Sequence, residues 1–407
     1  MREGWVTKPL WEIASFQGGS QPPKSKFVSE PRNGYVRLLQ IRDFKSEKHA
    51  VYVPISPKNR TCVETDIMIG RYGASVGQIH RGKAGAYNVA LIKTIPDESL
   101  IDREFFYLYL NSSYFQTPLA SVADRSAQAG FSKEDISDFK VPLPPLPEQQ
   151  RIVAILDEAF VGLATATANA EKNLKNAREL FESSLNLVFA KAGDDWKEVT
   201  LGEIAEFKNG LNFTKSSKGE TIRIVGVKDF QNNFWVPAEE LEAVQIEGGL
   251  SESYLLRKDD IITVRSNGNK QLIGRTMLAA DVPKRTSHSG FTIRIRITNP
   301  NVNPVYLVRY LKSDAVRKAL VESGDGAQIS NLNQRALTGL PAQLPAIEKQ
   351  QAIADELGVI EVETDRLKTS YEQKVASLLE LKQSILQKAF SGELTSPPSQ
   401  ALREAAE

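Results

Sequence analysis

The chain has 407 residues, enough for two or three domains of ordinary size. Apolar residues make up 41% of it, charged residues 25%, and the formal charge is only +1. That composition excludes a strongly basic nucleic-acid wrapper and a mainly disordered chain. A single cysteine, Cys62, excludes an internal disulfide framework, and three scattered histidines, His49, His80 and His288, argue against a structural zinc site. No continuous apolar run approaches the roughly 18 residues of a membrane span, and the N-terminal segment lacks a signal-peptide core. A cytoplasmic location is the expectation.

Charge is distributed unevenly. Residues 1–145 carry 19 basic and 15 acidic side chains, and residues 193–343 carry 20 and 18. The stretches 146–192, with 5 against 6, and 344–407, with 7 against 11, lean the other way. Two mildly basic blocks therefore alternate with two acidic ones, a weak signal by itself.

In chain order, Tyr35–Ile41, Ala50–Pro54 and Ala86–Ile95 read as strands: short, apolar and bounded by Gly, Pro and Asn. Arg103–Asn111 reads as a helix, and Ser132-Lys-Glu-Asp135 as the capped start of a short one. After Pro147 the pattern changes to steps of four and three through Leu156, Phe160, Leu163, Leu174 and Phe181, the seam of a coiled coil. Strands return at Ile222–Val227, Ile261–Val264 and Phe291–Ile297. A second seam follows Pro345, through Leu357, Ile360, Leu367, Tyr371, Leu378, Leu381 and Ile385. Helices of about 40 residues would each be roughly 60 Å long. They are expected to pack on each other.

The two halves are copies. Trp5–Gly19 aligns with Trp196–Gly210, Arg37–Phe44 with Arg223–Phe230, and Asp66–Arg71 with Asp260–Arg265. Ala127-Gln128 answers Ala327-Gln328, Gln149-Gln150 answers Gln350-Gln351, and Phe189 answers Phe390. A tandem duplication predicts an α+β molecule with a pseudo-two-fold internal repeat: two mixed, largely β domains joined by two long antiparallel coiled-coil helices. The expected divisions are 1–145, 146–192, 193–343, 344–394 and a polar tail 395–407.

No catalytic set emerges. There is no phosphate-binding loop, no glycine-rich S-adenosylmethionine pocket and no Asn-Pro-Pro-aromatic tetrapeptide, so the chain is not expected to be an enzyme by itself. The polar residues that stand out lie in loops after strands: Arg71, Tyr72, Ser75 and Gln78 in the first half, and Arg265, Asn267, Asn269, Lys270 and Arg275 in the second. Such side chains reach base edges or phosphates. Phe16–Gln21 with Phe207–Asn212, and Asp124–Gly130 with Gly324–Asn331, are two further loop pairs, and Lys24, Gln128, Asn212, Lys215, Gln328 and Asn331 are secondary candidates. Within each pair the flanks match and the tips differ, as in a duplicated reader with two targets; neutral drift of exposed loops gives the same pattern.

The chain resembles the specificity subunits of type I restriction-modification systems. The resemblance rests on the Trp-x-x-x-x-Leu-x-Glu-Ile-Ala openings at Trp196–Ala205 and Trp5–Ala14, the latter with Trp11 in the usual glycine position. It rests also on Arg71-Tyr-Gly-Ala-Ser-Val-Gly77, Leu143-Pro-Pro-Leu-Pro-Glu-Gln-Gln-Arg-Ile152 and Leu381–Leu394. Ala346-Ile-Glu-Lys-Gln-Gln351 and Asn186-Leu-Val-Phe189 depart from the pattern. The resemblance implies a non-catalytic subunit that binds double-stranded DNA at a bipartite, asymmetric site, one target recognition domain per half-site, with the helices as spacer. It also implies docking of two methyltransferase and two restriction subunits, which bring S-adenosylmethionine, ATP and Mg. Rival classes are a non-DNA scaffold that dimerises partners through the coiled coil, and a single-chain restriction enzyme.

Overall fold

The computed structural model describes residues 4–123, 130–191, 193, 195–214, 216–231, 233–322 and 332–396. The chain divides into two compact units: residues 1–170 with 373–407, and residues 171–372. Neither long helix forms a unit of its own; each contributes one part to both units.

In the first unit, one antiparallel sheet has the order Ala14–Gly18, Leu91–Pro96, Met68–Gly70, Ile79–His80. A second runs Tyr52–Pro54, Tyr35–Leu39, Gly85–Tyr87, Thr61–Cys62, with a parallel pair at its centre. The expected strand Ala86–Ile95 is thus two strands, Gly85–Tyr87 and Leu91–Pro96, broken at 88–90 because its halves pair in different sheets. Ala50–Pro54 shortens to Tyr52–Pro54, and Tyr35–Ile41 ends at Leu39, where a 3-10 turn, Ile41–Phe44, begins.

The second unit repeats this topology. Its sheets run Ala205–Asn209, Thr292–Ile297, Ile261–Val264, Thr276–Leu278 and Glu242–Gln245, Thr221–Val225, Thr286–His288. Among the described residues no counterpart of Thr61–Cys62 occurs. A further two-stranded ladder closes each domain, Val6–Pro9 with Lys140–Leu143 and Lys197–Thr200 with Pro341–Leu344.

Helices follow the strands because their caps are written locally. Arg103–Asn111 starts at Asp102, whose carboxylate accepts the amides of Glu104 and Phe105. Pro304–Lys312 starts at Asn303, which accepts the amide of Tyr306. Ser132 and Asp135 form a reciprocal capping box at Lys133–Ser137.

The duplicated glutamines show why those residues recur. Gln149 is fully buried; its Oε1 accepts the Asp102 amide (2.7 Å), and its Nε2 donates to the Leu100 and Pro144 carbonyls (3.0 and 2.8 Å). Gln350 makes the same three bonds with Asn303, Asn301 and Pro345 (2.9, 3.0 and 2.8 Å). Each pins the start of a long helix to the loop that caps the domain's own helix, satisfying backbone groups that burial would otherwise strand.

The long helices are Leu146–Ala190 and Ile347–Ser391. Within each unit their segments run antiparallel. In the first, the Lys382 ammonium lies over the Phe160 ring (5.1 Å) and Thr395 bonds Glu148; in the second, Arg178 pairs with Glu372 (3.0 Å) and Lys349 with Asp195 (3.3 Å). Leu156, Leu357 and Leu378 are buried, and Phe160, Leu163, Leu174, Phe181, Ile360, Tyr371 and Ile385 half-buried. Leu367 and Leu381 differ from the expected seam, being 40% and 46% exposed. A seven-residue repeat is kept through Leu357, Thr364, Tyr371, Leu378 and Ile385, all buried or half-buried, while the second row of the seam runs through Glu361, Lys368 and Val375, one residue after Ile360, Leu367 and Lys374. Part of the first helix, with only Asp157 and Glu158 charged, is by length and composition alone apolar enough to cross a membrane. Its Ile152 and Leu156 are buried in the core of the first unit.

Each helix ends by plugging a domain. Phe390 packs on Phe105 and Tyr109 (4.9 and 6.0 Å between ring centres) in the first unit, and Phe189 on Tyr306 and Tyr310 (5.5 and 5.3 Å) in the second. Cys62 is a buried strand residue of the second sheet of its domain, its thiol pushed up to about 11 by burial and by the Asp66 charge.

Candidate nucleic-acid interface

In the first domain Arg71, Tyr72, Ser75 and Gln78 share the loop between the strands Met68–Gly70 and Ile79–His80. The loop is tightly closed: the Gly70 amide donates to the Gln78 carbonyl (2.8 Å) and the Gly77 amide to the Gly70 carbonyl (2.9 Å). The Arg71 amide donates to the Ala90 carbonyl (2.8 Å), joining this loop to the turn at 88–90. Its Nε donates to the Phe131 carbonyl (2.8 Å), and its Nη1 lies against Gly18. Three loops singled out in the sequence, around 18, 71–78 and 130, thus meet at one end of the domain. Gln78 is half-buried and folds back on its own loop, its Nε2 donating to the Ala74 carbonyl (3.2 Å). Tyr72 is 44% exposed. Lys24 is exposed on a separate 3-10 turn, Lys24–Lys26.

The second domain repeats most of this backbone frame. The Arg265 amide donates to the Phe291 carbonyl (2.8 Å), as Arg71 does to Ala90, and the Leu332 amide donates to the Arg265 carbonyl (2.9 Å). The Ser20 amide bonds the Tyr87 carbonyl, and the Leu211 amide bonds the His288 carbonyl. Gly19 and Gly210 occupy matching close approaches; a Cβ on either would overlap the carbonyl oxygen of Asn88 or Ser289. That is why the opening motif ends in glycine in both copies.

Asp66 and Asp260 aim the strands that carry the two arginines. Asp66 Oδ2 accepts the Val63 amide (2.9 Å) and pairs with Lys93 (3.3 Å); Asp260 Oδ2 accepts the Arg257 amide (2.7 Å) and pairs with Arg296 (2.7 Å).

The tips differ. Asn267 Oδ1 accepts the Asn269 amide (2.8 Å), Asn269 Oδ1 accepts the Gln271 amide (3.0 Å) at the start of the 3-10 turn Lys270–Leu272, and the Lys270 side chain is exposed. The two asparagines therefore spend their oxygens shaping the loop and retain amide donors. Arg275 is drawn to the base of the loop, its Nη1 donating to the Gln231 carbonyl (2.5 Å). Asn212 is exposed beside Gly290. Gln128, Lys215, Gln328 and Asn331 lie outside the described residues.

A cleft of about 520 Å³ opens beside the second loop, lined by Ser266, Asn267, Ser289, Phe291, Phe213 and Lys228 among others. Phe291 was not singled out by the sequence; it reads there as the first apolar residue of a strand, yet it stands 62% exposed just before that strand begins. Beneath it His288 is wholly buried. The Thr292 hydroxyl donates to the Ser289 carbonyl (2.8 Å), so the imidazole, 3.0 Å away, donates to that hydroxyl through Nδ1 and leaves Nε2 a buried acceptor. Burial, and then Arg294, Lys208 and Arg296, push His288 down to about 3, so it is a neutral floor for the loops above.

Comparison with known proteins agrees with this duplicated frame. The family model described as the type I restriction modification DNA specificity domain matches twice, over residues 2–175 and 193–376. The StySPI specificity subunit of Salmonella potsdam is 22% identical over 421 residues, covering 97% of this chain and 90% of that protein. The EcoKI specificity subunit of Escherichia coli K12 is 21% identical over 426 residues, covering 97% and 90%. Among solved structures, a chain from a study of complex assembly and conformational transition of the type I R-M system superposes with a TM-score of 0.75 at 18% identity, covering 97% of this chain and 99% of that one. The HsdS subunit from Thermoanaerobacter tengcongensis superposes at 0.56 and 18%, covering 96% and 98%. The chain belongs to the family of type I restriction-modification DNA specificity subunits.

Proposed function

We propose that this chain reads a split, asymmetric DNA sequence, one half-site per β-rich domain, for a type I restriction-modification complex. The observation that carries the reading is the repeated loop frame: the same backbone bonds around Arg71 and Arg265, with different side chains at the tips. A duplicated frame keeps the approach to the groove constant while the tips set the sequence read. Arg71, Tyr72 and Ser75 in one domain, and Arg265, Asn267, Asn269 and Lys270 in the other, are the residues assigned to DNA. Gln78 and Arg275 are assigned to loop shape.

The two helices act as the spacer between half-sites and as a seat for partners. A 45-residue helix is about 68 Å long, ample to separate two domains that meet half-sites roughly 34 Å, one helical turn, apart. The chemistry is assigned to two methyltransferase and two restriction subunits, which carry S-adenosylmethionine, ATP and Mg. Adenine methylation needs base flipping, and the flipped base enters the methyltransferase.

The test is methylome sequencing of a host with and without this gene. A bipartite adenine motif that vanishes on deletion supports the reading. Exchange of residues 265–275 for those of a relative should then change one half of the motif only. An unchanged methylome, with the partner subunits expressed, overturns it.

A further inference from the structure

Each domain presents an exposed aromatic ring next to the arginine of its loop frame, but from opposite strands. Tyr72 follows Arg71 and bridges to Gly130, and the residue across from Arg71 is Ala90. In the second domain the residue after Arg265 is Ser266, and the one across is Phe291. The pairing is fixed by the bonds from the Arg71 amide to Ala90 and from the Arg265 and Ser266 amides to Phe291 (2.8, 2.8 and 3.3 Å). So one domain is aromatic then small, and the other is small then aromatic. The ring has moved between strands while its position beside the arginine is kept.

One face of the Tyr72 ring carries the Arg71 guanidinium (5.0 Å), and the rest of both rings is left open. Tyr72 is 44% and Phe291 62% exposed, and Phe291 belongs to none of the hydrophobic clusters of its unit. Large exposed apolar side chains on rigid loop bases mark contact with a ligand that has apolar faces. Phe291 has no hydrogen-bonding group, so phosphate cannot be its target. In duplex DNA the apolar elements a loop can meet are the thymine methyl in the major groove and base faces at a step that an inserted ring unstacks.

We propose that Tyr72 and Phe291 are an equivalent pair of specificity-determining residues, each pressing its ring on bases of its own half-site. This rests on the DNA-reading function proposed above. For Phe291 the neighbouring cleft, with Asn267 and Ser266 on its wall, lets ring and amide address adjacent base pairs.

The experiment is a selectivity assay on the full chain in complex with its methyltransferase subunits, using duplexes altered one base pair at a time. Phe291→Ala should relax discrimination by about 5- to 150-fold at one or two adjacent positions of one half-site, the range that readout of a single base pair carries. Tyr72→Ala should do the same in the other half-site, whereas Tyr72→Phe should keep most of the discrimination. In the Phe291→Ala background, Ser266→Tyr moves the ring to the strand used by the first domain, and should restore part of what was lost. An equal loss on every sequence, an effect spread over both half-sites, or full retention of selectivity overturns the proposal. If Arg265→Ala or Asn267→Ala shifts sequence preference while both aromatic variants do not, only this inference fails. If none of the four does so, the DNA-reading function fails with it.

Discussion

Replacing Gln350 by leucine isolates the role of the helix-start clamp. The substitution is close to isosteric and leaves the apolar packing intact. It removes one acceptor and two donor contacts, so the Asn303 amide and the Asn301 carbonyl lose partners in a part-buried place and the Pro345 carbonyl in a buried one. At about 1 kcal/mol per lost bond, and more wherever water cannot enter, the cost is about 3 kcal/mol or greater. For a unit of this size, that corresponds to a fall of roughly 6–12 °C in melting temperature. Gln149→Leu should cost a similar amount, because its three partners stand at 2.7, 3.0 and 2.8 Å. Thermal unfolding gives the magnitude, and hydrogen exchange resolved by peptide gives the place. Faster exchange should appear at residues 299–306 for the first variant and 98–105 for the second. A shift below about 2 °C, or exchange that rises equally in both regions, would refute the clamp.

Other consequences are as direct. His288 is neutral in the fold, with its protonation point pushed from 6.5 to about 3, so the unfolded chain binds its proton first as pH falls. Stability should be complete above pH 6.5 and decline below it in denaturant titrations, His288 contributing about 2 kcal/mol near pH 5 and His80, also lowered by burial, adding in the same direction; a flat profile there contradicts the buried imidazole. Glu220, held down to about 2 by Arg285 and the Leu250 amide, loses its contribution only below about pH 4.5 and so does not confuse that window. Gly210→Ala forces a methyl into the Ser289 carbonyl and should displace the second loop frame, lowering selectivity at one half-site while the other is read normally in the duplex assay. Leu156→Ala should cost about 2–5 kcal/mol, and Leu381→Ala less than about 0.5, as measured by thermal unfolding.

Much of this architecture is written in local signals. Asp102 and Ser132 cap helices where their spacing says they should, and the paired glutamines, invisible in purpose from sequence, stood out because duplication kept them. What was hidden depends on distant partners. Residues 86–95 form one apolar run, and only the separate pairing of Gly85–Tyr87 with Tyr35–Leu39 and of Leu91–Pro96 with Ala14–Gly18 breaks it. Leu367 and Leu381 satisfy the four-and-three count, but in the fold the repeat through Leu357, Thr364, Tyr371, Leu378 and Ile385 is completed by Glu361, Lys368 and Val375, which leaves both leucines off the seam. Phe291 escaped notice because an aromatic opening a strand looks like core. The folded loop shows it is surface, at the one place where polar neighbours converge.

The division into units has a consequence for how the chain is made. The second unit, 171–372, is continuous and can close as soon as its last residue leaves the ribosome. The first cannot: its hydrophobic core includes Ile385, Leu386, Ala389, Phe390 and Leu394 from the last helix. At the usual 5–20 residues per second, residues 1–170 wait on the order of 10–40 s for segment 373–396 to be synthesised. Through that interval the surface destined for Phe390, built from Phe105, Tyr109 and Tyr114, stays open. The domain synthesised first is thus the one finished last, and it is the half of the molecule that should depend on chaperones during translation.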